Sequence, residues 1–121
     1  MFSDQWRVTS DKMIHLLRQP ATHQQIREML EVHGSYIKVA VDIERRILAG
    51  GGEFHADCES VLLEEGSQKE HVWGADWIPA DQAVRCSALI NLRPRVNPSM
   101  EIQSPPIRQQ VDAITRTLLQ Q

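Results

Sequence analysis

Residues 37–44 read IKVAVDIE, an alternation of apolar and polar side chains with a period of two. Successive side chains of a β-strand point to opposite faces, so this pattern predicts a strand with one core face and one polar face. After Arg45 and Arg46 an apolar run resumes at 47–49, which predicts a hairpin centred on Arg45. Three glycines follow at 50–52, and glycines beside a strand indicate a bulge, a bend or a close backbone approach.

One helix is predicted before this hairpin and another after it. Thr22 and Gln25 form a capping-box pair, and the apolar spacing that follows predicts a helix at 23–33. Ser104 precedes a proline at the first helical position, where proline is tolerated, and so begins a helix at 105–119. The apolar stripe of this second helix comprises Ile107, Val111, Ile114 and Leu118.

Further strands are predicted at 14–17, 72–78 and 88–92, where short apolar or alternating runs end at or before a proline. Residues 58–65 suit either a strand or a short helix capped by Asp57, and we favour the helix. Helices that flank a run of strands predict an α+β fold. We expect a mostly antiparallel sheet of about four to five strands with the two main helices packed on it.

The chain has the composition of a single folded domain. It has 121 residues, of which 41% are apolar and 24% charged, as in ordinary soluble proteins. Residues 1–12 show no clear period, so we expect a flexible or extra extension there and one domain at 13–121. No apolar run approaches the roughly 18 residues of a membrane helix, and we expect no secretory signal.

The net charge and the cysteines limit which partners and which compartment are expected. A net charge of −3 argues against nucleic acid and against acidic membrane surfaces as partners. The two cysteines, Cys58 and Cys86, are far apart and form no CxxC pair. The cytoplasm, where thiols stay reduced, is therefore the expected compartment.

Four polar residues around His55 are the first candidate site. Glu53, His55, Asp57 and Glu59 are spaced by two, so in an extended segment they would share one face. Two carboxylates beside an imidazole suit a divalent metal or acid–base catalysis. If a helix begins near Cys58 instead, the four side chains do not converge. Asp57 then caps that helix, and His55 makes a local hydrogen bond. No further metal-ligand or cofactor motif is present, so neither group is predicted.

A second candidate site lies on the predicted strand 88–92. Ser87, Asn91 and Arg93 would share its polar face, and a guanidinium binds a carboxylate or phosphate bidentately. The alternative is an ion pair of Arg93 with an acidic neighbour such as Asp42 or Glu44.

Two indoles form a third candidate. Trp73 and Trp77 share a face of the predicted strand 72–78, where they would stack a base, line a partner groove, pack in the core or form a dimer contact. The acidic residues around them argue against a base.

Several segments together resemble the DUF5674 family, small bacterial domains to which no activity is assigned. The resemblance covers about residues 13–119 and is carried by 37–44, 51–57, 72–79 (VWGADWIP), 89–94 (LINLRP), 100–102 and 106–108. The recurring polar motifs of the family fall on His55, Asp57, Trp73, Gly74, Asn91 and Arg93. The resemblance implies a shared polar patch on the sheet.

Three functions compete at this point. The favoured one is a small binding or interaction protein whose residues His55, Asp57, Trp73, Asn91 and Arg93 contact a protein partner or a small anionic ligand. The second is a metal-dependent hydrolase or nuclease that uses His55, Asp57 and Glu59. The third is a structural homodimer without a ligand.

Overall fold

The computed structural model describes residues 5–9 and 12–121, with side chains from residue 14 onward. Six strands form one antiparallel sheet in the order β1-β2-β4-β3-β5-β6. The strands are β1 (Gln5–Thr9), β2 (Lys12–Leu17), β3 (Ile37–Asp42), β4 (Ile47–Gly50), β5 (Val72–Ile78) and β6 (Ala83–Arg85). The helices are α1 (His23–Met29), α2 (His55–Glu64) and α3 (Pro105–Leu119), with 3-10 turns at Lys69–His71, Pro79–Asp81 and Leu89–Asn91. The predicted α+β fold is confirmed.

Helices cover both faces of this sheet. α1 and α3 pack on the face that carries Val39, Val41 and Trp77, and α2 packs on the opposite face against Ala40. Residues 39–42 of β3 are consequently fully buried. The expected half-buried strand with a polar face is therefore wrong, because α2 occupies the face that the alternation indicated would be polar.

The predicted hairpin at Arg45 is confirmed, and Asp42 builds it. Asp42 Oδ1 accepts hydrogen bonds from the backbone N–H groups of Glu44 at 2.9 Å and Arg45 at 3.0 Å. Arg46 then adopts a left-handed conformation with φ 59° and donates its N–H to the Asp42 carbonyl at 2.8 Å. The acidic side chain at the end of β3 therefore shapes a turn rather than a sheet surface.

The glycines at the end of β4 and just after it allow the close approach that the sequence indicated. A Cβ on Gly50 would lie 3.1 Å from Val39 Cγ1, and a Cβ on Gly52 would lie 3.1 Å from Cys58 Sγ. Since such contacts are tighter than nearly all real ones, the glycines let β4 and α2 pack against their neighbours.

The helix boundaries match the predictions with two corrections. The capping box of α1 is present, with Thr22 and Gln25 exchanging side-chain to backbone bonds of 2.9 and 3.1 Å, but the helix ends at Met29 instead of residue 33. The favoured helix is present at 58–64, but α2 begins earlier than predicted, at His55, and ends at Glu64. α3 has the predicted bounds and its Ser104 cap.

The N-terminal segment contributes an edge strand. β1 pairs antiparallel with β2 from Gln5 opposite Leu16 to Thr9 opposite Lys12. It falls within the segment expected to be a flexible or extra extension, and residues 1–4, 10 and 11 of that segment lie outside the described residues. The domain boundary at 13 stays a prediction. Among the described helices, none combines the length and the apolar character that crossing a membrane requires.

Candidate functional site around strand β5

Strand β5 carries both tryptophans that the sequence singled out. Trp73 and Trp77 share one of its faces, as predicted, and both pack in the core below α1 and α3 with no more than 2% of their surface exposed. The tryptophans therefore stabilise the sheet and present no ring to a partner.

Asn91 is bound to the backbone of β5 at Gly74. Its Oδ1 accepts the Gly74 N–H at 2.7 Å, and its Nδ2 donates to the Gly74 carbonyl at 3.0 Å and to the Met100 carbonyl at 3.0 Å. Asn91 is fully buried. A side-chain amide thus makes the two bonds that a neighbouring strand would otherwise make.

This contact explains why the predicted strand 88–92 is wrong. Because the Asn91 side chain replaces a backbone neighbour, the main chain lies farther from β5 and turns through the 3-10 segment Leu89–Asn91. Leu92 is accordingly exposed. Close packing reinforces the arrangement, since a Cβ on Gly74 would lie 2.6 Å from Ala88 Cβ.

Arg93 is likewise engaged by the protein itself. Its guanidinium stacks on Trp73, with Cζ 3.9 Å from the ring centroid, and donates to the carbonyl oxygens of Val72 and Glu70, the latter at 3.2 Å. Burial lowers the pKa of this guanidinium from its usual value, although Glu59 and Glu70 oppose that change. The alternative ion pair with Asp42 or Glu44 is not formed, since Arg93 binds backbone carbonyls instead.

Asn97 holds together the segment that Asn91 and Arg93 attach to the sheet. Its Nδ2 donates to the carbonyls of Asn91, Ser99 and Glu101 at 2.8–3.2 Å, and its Oδ1 accepts the Gln103 N–H at 2.9 Å. It is almost fully buried. Asn97 was not predicted from the sequence, although its position between two proline-containing turns is a signal for a side chain that organises a loop.

His55 approaches β5 from the start of α2. Its Nε2 lies 2.9 Å from Asp76 Oδ1 and 3.1 Å from the Ala75 carbonyl oxygen. Arg85 on β6 donates from Nε and Nη2 to Asp76 Oδ2 at 3.1 and 2.9 Å. Asp76 is therefore a buried carboxylate held between an imidazole and a guanidinium, and neither Asp76 nor Arg85 was predicted.

The ionisation of Asp76 follows from these partners. Burial opposes the charged form, but the hydrogen bonds from His55 and Arg85 outweigh it and lower the pKa of Asp76 from its usual 3.8. The thiol one turn further along α2, Cys58, is fully buried, and burial raises its pKa to about 12. The cluster thus offers a fixed carboxylate and imidazole without an activated thiol nucleophile.

The other carboxylates of the first candidate site turn away from His55. Asp57 Oδ2 accepts the Phe54 N–H at 3.2 Å and so caps α2 from within its first turn, while Glu59 Oε2 pairs with Lys69 Nζ at 3.1 Å. Since α2 already begins at His55, the extended segment that would align the four residues is wrong. In the described part of the chain, no group of three or more His, Cys, Asp or Glu side chains is arranged to hold a metal ion.

Comparison with protein-family models assigns the chain to a family. The family model for a protein of unknown function, DUF5674, matches residues 15–118. The chain belongs to this family. Comparison with curated proteins and with solved structures gives no match.

The segments that carry the DUF5674 resemblance therefore meet at β5. Segment 72–79 comprises β5 and the residue that follows it. Segment 89–94 contains Asn91 and Arg93, which bond to β5. Segment 51–57 contains His55, which contacts Asp76 of β5. Within the described chain these residues mainly bind one another's backbone. What they hold in place is the chain between residues 86 and 104.

Proposed function

We propose that this DUF5674 domain is a protein-interaction module whose contact surface is the apolar side of residues 89–100, which we call the 89–100 loop. The observation that carries the proposal is a group of large apolar side chains that are 48–72% exposed on this one segment. The group comprises Leu89, Leu92, Val96 and Met100. Exposed apolar groups concentrated in this way are typical of interaction sites.

Backbone bonds hold these side chains close together. The Leu92 N–H bonds to the Leu89 carbonyl at 3.0 Å, which places both residues on one 3-10 turn. The Val96 N–H bonds to the Arg93 carbonyl at 2.9 Å in the next turn, and the Ala88 N–H reaches the Met100 carbonyl at 3.0 Å. The apolar groups therefore project from one compact, bonded loop.

The rigidity of this loop supports a binding role. Asn91, Arg93 and Asn97 hold it from the inside by seven side-chain bonds to backbone carbonyls and two from backbone N–H groups. A surface ordered before binding loses less conformational entropy on association. In this proposal Asn91 and Arg93 act behind the contact surface instead of touching the partner.

Charge specifies the partner further. Residues 85–100 contain arginines but no Asp or Glu, and Arg95 is exposed beside Val96. A protein surface with an apolar pocket and an acidic border complements this loop. Because both cysteines of the domain are free, we expect the partner in a reducing compartment, the cytoplasm.

Site-specific crosslinking tests the proposal. A photoreactive amino acid placed at position 89 or 96 in the native host should crosslink one protein, which mass spectrometry identifies. The matched control position is Leu63 on α2, which is also partly exposed. With that protein purified, Leu89→Asp should raise the Kd at least about tenfold, since each 1.4 kcal/mol of lost contact is tenfold, whereas Leu63→Asp should leave the Kd unchanged.

Two outcomes would overturn the proposal. Equal crosslinking from positions 63 and 89 would show that the loop has no special role. Crosslinks only to a second copy of the chain, together with a dimer in sedimentation equilibrium that Leu89→Asp dissolves, would establish the homodimer instead.

A further inference from the structure

A cavity of about 600 Å³ lies at the end of the sheet that carries the β3–β4 turn. It is bounded by the chain leaving β2, by the β3–β4 turn and by the last turns of α3. Its charged lining comprises Arg18, Arg45 and Arg46, and its apolar lining includes Ile47, Ile114 and Leu118. The volume is in the range of small-molecule sites.

We propose that this cavity binds a small molecule that carries a phosphate or carboxylate group on an apolar body. No Asp or Glu is among the residues that line the cavity, whereas three arginines are. Guanidinium groups recognise such anions by paired, charge-assisted hydrogen bonds. The function is separate from the protein contact at the 89–100 loop.

Two of the guanidinium groups are oriented by the end of α2. Arg45 Nη1 donates to the Glu65 carbonyl at 3.1 Å and to Ser67 Oγ at 3.2 Å. Arg18 Nη2 lies 3.5 Å from Glu65 Oε1. The Glu65 carboxylate thus faces Arg18, whereas Arg45 binds a carbonyl and a hydroxyl group, which leave its positive charge in place.

Arg46 supplies the group that is available to a ligand. Its φ of 59° suits glycine or asparagine better than arginine, and the Asp42 turn fixes that conformation. Among the described residues its guanidinium has no hydrogen-bond or ion-pair partner. The turn therefore holds an unpaired cation at the cavity.

The base of the cavity suits an apolar body. Ile47, Ile114 and Leu118 are at most 6% exposed, so their accessible atoms form a firm apolar floor. The C-terminal end of a helix repels anions, but the Leu118 carbonyl is already bonded to the Ala21 N–H at 2.8 Å. A ligand of this kind would place its anionic head near the arginines and its apolar body against the floor of the cavity. Each part of the ligand would then contact residues of matching character.

Calorimetric titration of the full chain tests this proposal with phenyl phosphate and benzoate as probes. At least one of them should saturate a single site, and the tighter one identifies the head group. Phenol carries only the apolar body and inorganic phosphate only the anionic head. Each should bind at least about tenfold more weakly than the tighter probe. Methyl resonances of Ile47, Ile114 and Leu118 should shift on saturation.

Arg46→Asn is the decisive variant because asparagine tolerates positive φ, so the melting temperature should not fall. It should weaken the tighter probe about tenfold or more, whereas Arg95→Asn, which removes an exposed arginine from the 89–100 loop, should not. Absence of saturable binding by both probes, or equal weakening by the two variants, would overturn the proposal. Tighter, Arg46-dependent binding of a single-stranded oligonucleotide would overturn it in favour of nucleic acid.

Discussion

At the scale of single residues, Asn91 shows how one amide can replace a strand. It is fully buried and bonds to both polar groups of Gly74 and to the Met100 carbonyl. Asn91→Ala should lower the free energy of unfolding by about 3 kcal/mol, because buried backbone groups that lose their partner cost about 1–3 kcal/mol each. Urea denaturation of the variant and the wild type measures the difference.

The matched control is Arg95→Ala, an exposed residue of the same loop. Its effect should stay within about 0.5 kcal/mol, as for most surface substitutions. A loss below about 1 kcal/mol for Asn91→Ala would mean that the amide is not what attaches the loop to β5.

At the scale of elements, local signals predicted the helices and the hairpin better than they predicted what covers a strand. The stripe of α3 and the capping box of α1 are local signals, and both were read correctly. Segment 88–92 has the alternation of a strand, but its pairing with β5 is made by the Asn91 side chain, which no period reports. β3 alternates as a half-buried strand, yet small Ala40 and turn-forming Asp42 let α2 cover it.

The residues of the candidate site were also predictable from local patterns, whereas their partners were not. His55 was singled out by its spacing of two from neighbouring carboxylates. Alternation along predicted strands singled out Trp73, Asn91 and Arg93. Their partners were missed because Asp76, Arg85 and Asn97 meet them only through the order of the strands and the path of the loop. Long-range pairing of this kind is a tertiary property that a local pattern does not contain.

Asp76 also belongs to this scale, because it joins α2, β5 and β6 through His55 and Arg85. Its pKa is lowered on folding, since the two hydrogen bonds outweigh the effect of burial. A carboxyl with a lowered folded pKa stabilises the fold above its unfolded pKa and loses that contribution as the pH falls through the folded pKa. The stability difference between the wild type and Asp76→Asn should therefore shrink as the pH falls from about 5 to about 3.

Urea denaturation at several pH values in that range measures this difference. Asp81→Asn, an exposed carboxylate next to β6, is the control and should show a small difference throughout. If the difference in the free energy of unfolding between Asp76→Asn and the wild type stayed constant over this pH range, the assigned charge state of Asp76 would be contradicted.

At the scale of the whole molecule, the reactivity of Cys58 reports whether α2 stays packed on the sheet. Its side chain is buried between α2 and β3, where Sγ donates to the Lys38 carbonyl at 3.4 Å. Burial raises the pKa of this thiol to about 12, and that of the half-buried Cys86 to about 11. Since the thiolate is the reactive form, alkylation of Cys58 requires α2 to leave the sheet.

Cys58 alkylation should therefore follow global unfolding. When opening and closing are fast relative to the chemistry, the rate is proportional to the population of the open state. A destabilisation of about 3 kcal/mol by Asn91→Ala should raise the rate about a hundredfold, because each 1.4 kcal/mol is a factor of ten. Mass spectrometry after iodoacetamide treatment measures both cysteines in one experiment. If Asn91→Ala accelerates Cys86 alone, the loop opens without the core, and the attachment at β5 is local rather than part of one cooperative unit.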